Sequence, residues 1–199
     1  MRRKGRGLQV IAIDFDGVIC QLPFGLNPGI SSSAWSSRQL NKRKVPREGL
    51  SRLLTELVTR LRYSIRRPRP GVEETLRFLA REYKLALVTA RPGHMLGPTK
   101  AWLAKHELLD YFDQVIVNET CLPAPLYKLE KARTLGASVF IEDDGRNARF
   151  LSSGGIDLVL LVDWPKNRAD YPDAIQRITT LLGARSLLME RADQSRQAR

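Results

Sequence analysis

Two carboxylates lie one residue apart at the end of the first apolar run. In the stretch VIAIDFDGV, Asp14 directly follows four apolar residues, and Asp16 comes two positions later, before Gly17. Such a run predicts a buried strand, and parallel sheets bind ligands at the carboxyl ends of their strands. Two carboxylates placed there repel each other unless a cation lies between them, and a divalent ion with oxygen ligands is one explanation. The other is that Asp14 caps a turn and Asp16 is solvated, because Asp-Gly is a common turn pair.

Two later apolar runs also end in polar residues. LALVTAR brings Thr89 to a strand end, where its hydroxyl and the exposed backbone amides suit a phosphate, although a threonine there is commonly without function. VFIEDDGRNA places Glu142, Asp143 and Asp144 together after another run. Adjacent acids behind a buried strand are costly unless they hold a cation, so this stretch favours a functional site.

The remaining polar residues give weaker signals. Lys128 and Lys131 lie in a helical pattern between these runs, and either could supply positive charge, but a lysine on such a helix is normally solvated. His94 is interpreted as a loop residue, and His106, near a helix end, as structural or solvated.

Short apolar runs alternate with helical patterns, and this alternation predicts the fold. The runs cover residues 10–13, 85–88, 114–117, 138–141 and 156–162. Runs without polar alternation suit strands buried on both faces, and strand–helix repetition implies parallel strands with right-handed crossovers. We therefore predict an α/β fold with a Rossmann-like, doubly wound, parallel five-stranded sheet.

The first crossover is longer than a turn requires, which predicts an inserted cap. Residues 21–69 begin with a stretch rich in Gly, Pro and Ser and include an amphipathic helical pattern. We expect a small, mostly helical cap over the strand ends. The core domain is predicted over residues 1–20 and 70–183, and the tail 184–199 as a frayed helix or a disordered segment.

Positive charge is concentrated in the first third of the chain. The net charge is +12, and residues 1–70 hold 15 Lys and Arg against 4 Asp and Glu. This is either a solvated basic surface or a means of steering a substrate with several negative charges, such as a nucleic-acid end. Phe24 and Trp35, in the cap, could stack on a base or pack the cap's own core.

The cellular compartment is predicted from the lengths of the apolar runs and from the spacing of the cysteines. No run approaches the ~20 residues of a membrane helix, and the basic start is not interpreted as a targeting signal. Cys20 and Cys121 have no CxxC spacing, which fits a reducing environment. We expect a cytoplasmic protein without a membrane partner, and the sequence does not indicate an oligomeric state.

The order of the motifs resembles the haloacid dehalogenase superfamily. DFDGV, a strand-end TAR, a lysine and a strand-end EDDGRN correspond to its four motifs, over about residues 8–165. VTARPG, FIEDDGRNA and LLVDWPKNR further resemble the 5′(3′)-deoxyribonucleotidase branch and its uncharacterised bacterial relatives. Asp16 argues against the dehalogenases themselves, which do not carry this second aspartate.

The resemblance implies a role for each acidic motif residue. Asp14 would be the nucleophile that forms an aspartyl-phosphate, and Asp16 the general acid and base. Mg²⁺ would be held by Asp14, the backbone carbonyl of Asp16, Asp143 and waters.

The resemblance also implies a phosphate site. Thr89, the amide of Ala90 and Lys128 would bind phosphoryl oxygens, and the spacing from Lys128 to Glu142 suits the family motif better than that of Lys131. Glu142 and Asn147 would hold the acidic loop, residues 142–144, in place without contacting the ligand themselves. Asn167 and Arg168, in WPKNR, are expected to brace the loops around the site rather than to take part in catalysis.

The function implied by the resemblance is that of a magnesium-dependent phosphomonoesterase acting on a nucleotide or another small phosphorylated metabolite. Two alternatives stay open: a phosphatase for nucleic-acid ends, suggested by the basic cap, and a non-catalytic polyanion-binding protein on the same fold. A nucleic-acid partner is not favoured, and the acceptor of the phosphoryl group, water or another molecule, is left open.

Overall fold

A computed structural model describes residues 9–21, 65–120 and 122–197 of the chain. Its strands are β1 (Val10–Ile13), β2 (Cys20–Gln21), β3 (Arg67–Pro68), β4 (Lys84–Pro92), β5 (Gln114–Asn118), β6 (Ala137–Glu142), β7 (Leu158–Val162) and β8 (Ile175–Ile178). Its α-helices are α1 (Val72–Glu82), α2 (Leu96–Lys105), α3 (Ala124–Thr134), α4 (Gly145–Ser153) and α5 (Leu181–Gln197). Short 3-10 segments cover Gly93–Met95, Leu109–Tyr111 and Pro165–Asn167.

The main sheet is parallel and has the strand order β5–β4–β1–β6–β7–β8. After β1 the chain builds β4 and β5 on one side and then β6, β7 and β8 on the other. The carboxyl end of β1 is therefore the switch point of the sheet, where the strand order reverses. Open α/β sheets bind their ligands at such points. Asp14 is the first residue beyond that end.

Helices cover both faces of this sheet, which confirms the predicted doubly wound class. Ile11 and Ile13 of β1 belong to a core cluster that also contains residues of α1, α2 and α5. Ala12, between them, faces a second cluster with residues of α3 and α4. The alternation of side chains along a strand explains why one apolar run contributes to both cores.

The described sheet has one strand more than the five predicted. The additional strand, β8, pairs with β7 at the edge of the sheet. Its two inner residues are half-buried and exposed, while Ile175 and Ile178 are buried. An edge strand with a polar interior lacks the continuous apolar run by which the other strands were identified.

A small antiparallel pair joins the two sides of the predicted insertion. β2 pairs with β3, so that Cys20 lies opposite Pro68 and Gln21 opposite Arg67. Most of the predicted cap over residues 21–69, including Phe24 and Trp35, falls on residues 22–64, which lie outside the described residues. The cap therefore stays a prediction.

Two further predictions concern the termini and the membrane. α5 covers most of the predicted tail and packs against α1. Among the residues that the structure describes, no helix combines the length and the apolar character that crossing a membrane requires.

Candidate active site

Three buried carboxyl groups meet at the carboxyl end of the sheet. Asp14 follows β1, Glu142 ends β6, and Asp143 is the next residue. One carboxylate oxygen from each lies within 4.8 Å of the others, and the three residues are between 0% and 7% exposed. The Asp14 amide donates to the Ile141 carbonyl at 2.9 Å and so ties the first carboxylate to the strand that carries the other two.

Lys128 lies between two of these carboxylates. Its Nζ is 3.1 Å from Asp14 Oδ2 and 2.7 Å from Glu142 Oε2. Lys128 lies on α3 and is buried, so it is not the solvated lysine that a helix normally carries. Burial alone would lower the pKa of Lys128, but the charges of Asp14 and Glu142 outweigh it and raise that pKa above its usual range. The ammonium is therefore held as a permanent cation.

The carboxyl group of Asp14 has an unusual proton affinity. Burial, opposed by the neighbouring Lys128 ammonium, raises the pKa of Asp14 to about 7. The negative charges of Glu142 and Asp143 act in the same direction as burial. A divalent cation among these oxygens would favour the ionised form and offset the cost of burying it.

Glu142 supports the acidic loop through both of its oxygens. Oε2 accepts from Lys128, while Oε1 accepts the amides of Asp143 at 3.2 Å and Asp144 at 3.1 Å. The Nδ2 of Asn147, on α4, also donates to Oε1, at 3.3 Å. With its oxygens already used in this way, Glu142 is less suited to bind a metal than Asp14 and Asp143, the other two carboxylates that could hold one.

Asn167 braces the same loop from the other side. Its Nδ2 donates to the carbonyls of Asp143 at 2.8 Å and Val162 at 2.9 Å, and its Oδ1 accepts the amide of Gly145 at 3.2 Å. The structure thus links Asn167 to the backbone of Asp143, as the sequence analysis expected for WPKNR, while Arg168 is exposed.

Asp16 lies in a different electrostatic environment from Asp14. Its carboxylate oxygens contact the guanidinium groups of Arg66 and Arg91, and its side chain is 36% exposed. Gly17 then turns the chain with a φ of 82°, a conformation that glycine adopts without steric cost. The Asp-Gly pair therefore forms a turn, but Asp16 is paired with two arginines rather than only solvated, and Asp14 contacts Lys128.

Two of the three residues predicted to bind phosphate, Thr89 and Ala90, lie towards the end of β4, and the third is Lys128 on α3. Thr89 is buried and pairs in register with Val117, and its Oγ1 accepts the amide of Arg91 at 3.4 Å. Ala90 is half-buried. Arg91 itself was not assigned from the sequence, although the TAR motif contains it, because an arginine after a strand has no distinctive spacing.

The residues that the sequence analysis set aside make contacts away from the carboxylates. The ring of His106 lies 4.4 Å from that of Trp102, and Lys131 Nζ lies 5.9 Å from the ring of Tyr127. His94 belongs to the 3-10 turn after β4. None of these contacts connects to the carboxylate cluster.

Comparison with known sequences gives a partial match. No protein family model matches the chain. A protein of Halalkalibacterium halodurans, named as a candidate nucleotidase, is 29% identical over 108 residues. The aligned part is 54% of this chain and 52% of that protein, so the match spans about half the length of this curated relative.

Comparison with solved structures covers nearly the whole chain. A haloacid dehalogenase-like hydrolase from Streptococcus pneumoniae gives a TM-score of 0.60 at 15% identity, covering 91% of this chain and 98% of that one. A haloacid dehalogenase phosphatase from Thermococcus onnurineus gives 0.57 at 21% identity, with coverages of 91% and 98%. A candidate β-phosphoglucomutase from Thermotoga maritima gives 0.59 at 19% identity, with coverages of 92% and 99%. The chain has the haloacid dehalogenase-like fold, which confirms the fold that the motif resemblance implied.

Proposed function

We propose that the chain is a magnesium-dependent phosphomonoesterase that acts through an aspartyl-phosphate on a nucleotide or another small phosphorylated metabolite. The observation that carries this proposal is the buried contact between Asp14 and Lys128 beside Asp143, at the switch point of a parallel sheet. The Asp14 carboxylate is buried rather than solvated, and it lies at the edge where parallel sheets bind ligands. The nucleotide as substrate is supported by the name of the 29% identical relative and by the motif resemblance.

The donor set of the site fits Mg²⁺. Magnesium prefers oxygen ligands and usually retains several waters, so two carboxylates are sufficient protein ligands. Asp14 and Asp143 are the proposed carboxylate ligands, with the backbone carbonyl of Asp16 as a third. When bound, the ion would neutralise negative charge on the phosphoryl group.

The proposed reaction has two steps. In the first, a carboxylate oxygen of Asp14 attacks phosphorus, the bond to the ester oxygen breaks, and Asp16 donates a proton to that oxygen. In the second, Asp16 takes a proton from a water whose oxygen attacks the aspartyl-phosphate, which releases phosphate and restores Asp14. The proposed ligands of the phosphoryl oxygens are Thr89, the amide of Ala90 and Lys128.

Turnover of p-nitrophenyl phosphate and of a nucleoside monophosphate panel tests this function. The parent chain is expected to be active with Mg²⁺ and inactive with EDTA, and Asp14→Asn to fall to the background rate. Asp157→Asn, at an exposed aspartate, is the matched control and should match the parent. Acid quenching with a ³²P-labelled substrate should leave label on the parent chain and none on Asp14→Asn. Full activity of Asp14→Asn would overturn the proposal.

A second candidate function is a phosphatase for nucleic-acid ends. It is favoured by the 15 basic against 4 acidic residues in the first 70 positions. An end-phosphorylated oligonucleotide should then be a better substrate than the mononucleotide at low salt, and the preference should decrease as salt rises. Equal rates would reject this candidate, and salt-sensitive oligonucleotide binding that survives loss of Asp14 would indicate a binding protein instead.

A further inference from the structure

Arg91 holds both oxygens of the Asp16 carboxylate. Its Nε donates to Asp16 Oδ2 at 2.7 Å and its Nη2 donates to Oδ1 at 2.7 Å. A planar guanidinium with two parallel hydrogen bonds fixes the rotation of a carboxylate as well as its position. The Arg91 side chain is only 5% exposed, although the aspartate that it holds is 36% exposed.

The guanidinium of Arg91 is itself held from behind. Its Nη1 donates to the buried Oγ1 of Thr99 at 3.2 Å, and its Cζ lies 4.2 Å from the centre of the Phe15 ring. Phe15 packs edge-on against Trp102 at 5.1 Å between ring centres. Thr99 and Trp102 both belong to α2, so this helix determines where the guanidinium lies.

A second arginine contacts the same carboxylate from the segment that returns from residues 22–64. Arg66 donates to Asp16 Oδ1, and its own carbonyl accepts Trp102 Nε1 at 3.2 Å. Both arginines donate to Asp16 Oδ1, and burial together with the charge of Arg91 lowers the pKa of Arg66 to about 10. α2 thus supports both arginines, and Arg91 makes the bidentate contact.

A purely structural salt bridge is the alternative explanation. Ion pairs with an exposed partner typically contribute little to stability, so stability alone gives little reason for this arrangement. A proton carrier, by contrast, must stay within about 0.5 Å of its productive position. Asp16 lies two residues from Asp14 and faces water on one side, which is where a carrier of protons would be needed.

From this geometry we infer that Arg91 is a positioning residue that orients the Asp16 carboxylate for proton transfer, with α2 as its support. The inference rests on the proposed function, because it assigns Arg91 to the same reaction. It predicts that Arg91 acts through Asp16 and not on the substrate.

Kinetics of four proteins test this inference: the parent, Arg91→Met, Asp16→Asn and the double variant. Methionine keeps the apolar contact with Phe15 and removes the hydrogen bonds. Arg91→Met is expected to lower kcat about 100-fold, the order of effect of a 1 Å misplacement, with KM changed less than about threefold. In the Asp16→Asn background the same substitution should have no further effect. Arg91→Lys, which retains one of the two hydrogen bonds, should recover part of kcat.

The test of Arg91 has one control variant and two results that would overturn it. Arg149→Met removes an exposed arginine that stacks on Tyr171 and should leave kcat and KM unchanged. An equal loss of kcat on Arg91→Met in both backgrounds would overturn the inference, and so would a change confined to KM.

Urea unfolding of the same four proteins gives a readout that does not need activity. The midpoint shifts of Arg91→Met and Asp16→Asn should be non-additive, because each substitution removes the same contact. Additive shifts would overturn the inference. If the parent chain proves inactive while the shifts are non-additive, the proposed function fails and the contact between the two side chains stands.

Discussion

Replacing Lys128 with methionine should destabilise the protein strongly, and more without magnesium than with it. Lys128 Nζ is the cation shared by Asp14 at 3.1 Å and Glu142 at 2.7 Å, and its side chain is 4% exposed. Removing one partner of a buried ion pair typically costs about 3–5 kcal/mol, because the remaining charge is left uncompensated. In a chain of this length the expected fall in Tm is about 6–20 °C.

The assay is urea and thermal unfolding, followed by tryptophan fluorescence, in EDTA and in millimolar Mg²⁺. Magnesium should reduce the cost of Lys128→Met, because without the repulsion of the Lys128 ammonium the variant's carboxylates should bind the ion more tightly than the parent's do. Adding Glu142→Gln should recover part of the loss in EDTA, because it removes the carboxylate left unpaired.

The matched control for this experiment is Lys131→Met on the same helix. Lys131 Nζ contacts the ring of Tyr127 rather than a carboxylate, so its loss should cost about 0.5 kcal/mol or less. The reasoning is refuted if both lysine variants unfold at the same urea concentration in EDTA, or if magnesium leaves the cost of Lys128→Met unchanged.

The other predictions concern Asp14 and the turn after β1. Burial, opposed by Lys128, raises the pKa of Asp14 from 3.8 to about 7, so the folded state binds this proton more tightly than the unfolded chain does. In EDTA, the urea midpoint of the parent relative to that of Asp14→Asn should therefore fall as the pH rises from about 4 to about 7. A difference that stays constant with pH would contradict this. Gly17→Ala should cost about 1–2 kcal/mol in urea unfolding, because φ is 82° at this position, and an unchanged midpoint would show that the turn relaxes. Burial raises the pKa of the Cys20 thiol to about 12, so in a Cys121→Ser background a thiol reagent at pH 8 should modify the chain only after urea is added.

The sheet and the carboxylates at its edge were predictable because buried parallel strands have a direct signature. The apolar runs before Asp14, Thr89 and Asp143 are the cores of β1, β4 and β6, which lie side by side in the sheet. Parallel strands share a carboxyl edge, so residues after these runs had to lie near one another. β8 has no such signature, because only its two end residues are buried.

The arginines around Asp16 could not be predicted, because their convergence is a property of the tertiary structure. Arg66 and Arg91 are separated from Asp16 by 50 and 75 residues. They meet there because α2 holds both of them: its Thr99 accepts a hydrogen bond from Arg91, and its Trp102 donates one to the carbonyl of Arg66. A motif records the spacing within one segment, whereas this contact depends on how three segments pack.

The buried carboxylates Asp14 and Glu142 differ in how far their burial is compensated, and this difference argues that Asp14 serves a function. Glu142 is fully buried, yet it accepts two backbone amides and the Lys128 ammonium, so its burial is compensated by local hydrogen bonds. Asp14 shares the same ammonium, and burial still raises its pKa to about 7, so its charge is only partly compensated. A buried carboxylate whose charge is only partly compensated reduces the free energy of unfolding. Apolar residues at its position would remove this cost of desolvation. Its position at the switch point of the sheet, beside Asp143, is explained if a ligand supplies the missing positive charge, so ligand binding and stability should be coupled at this residue.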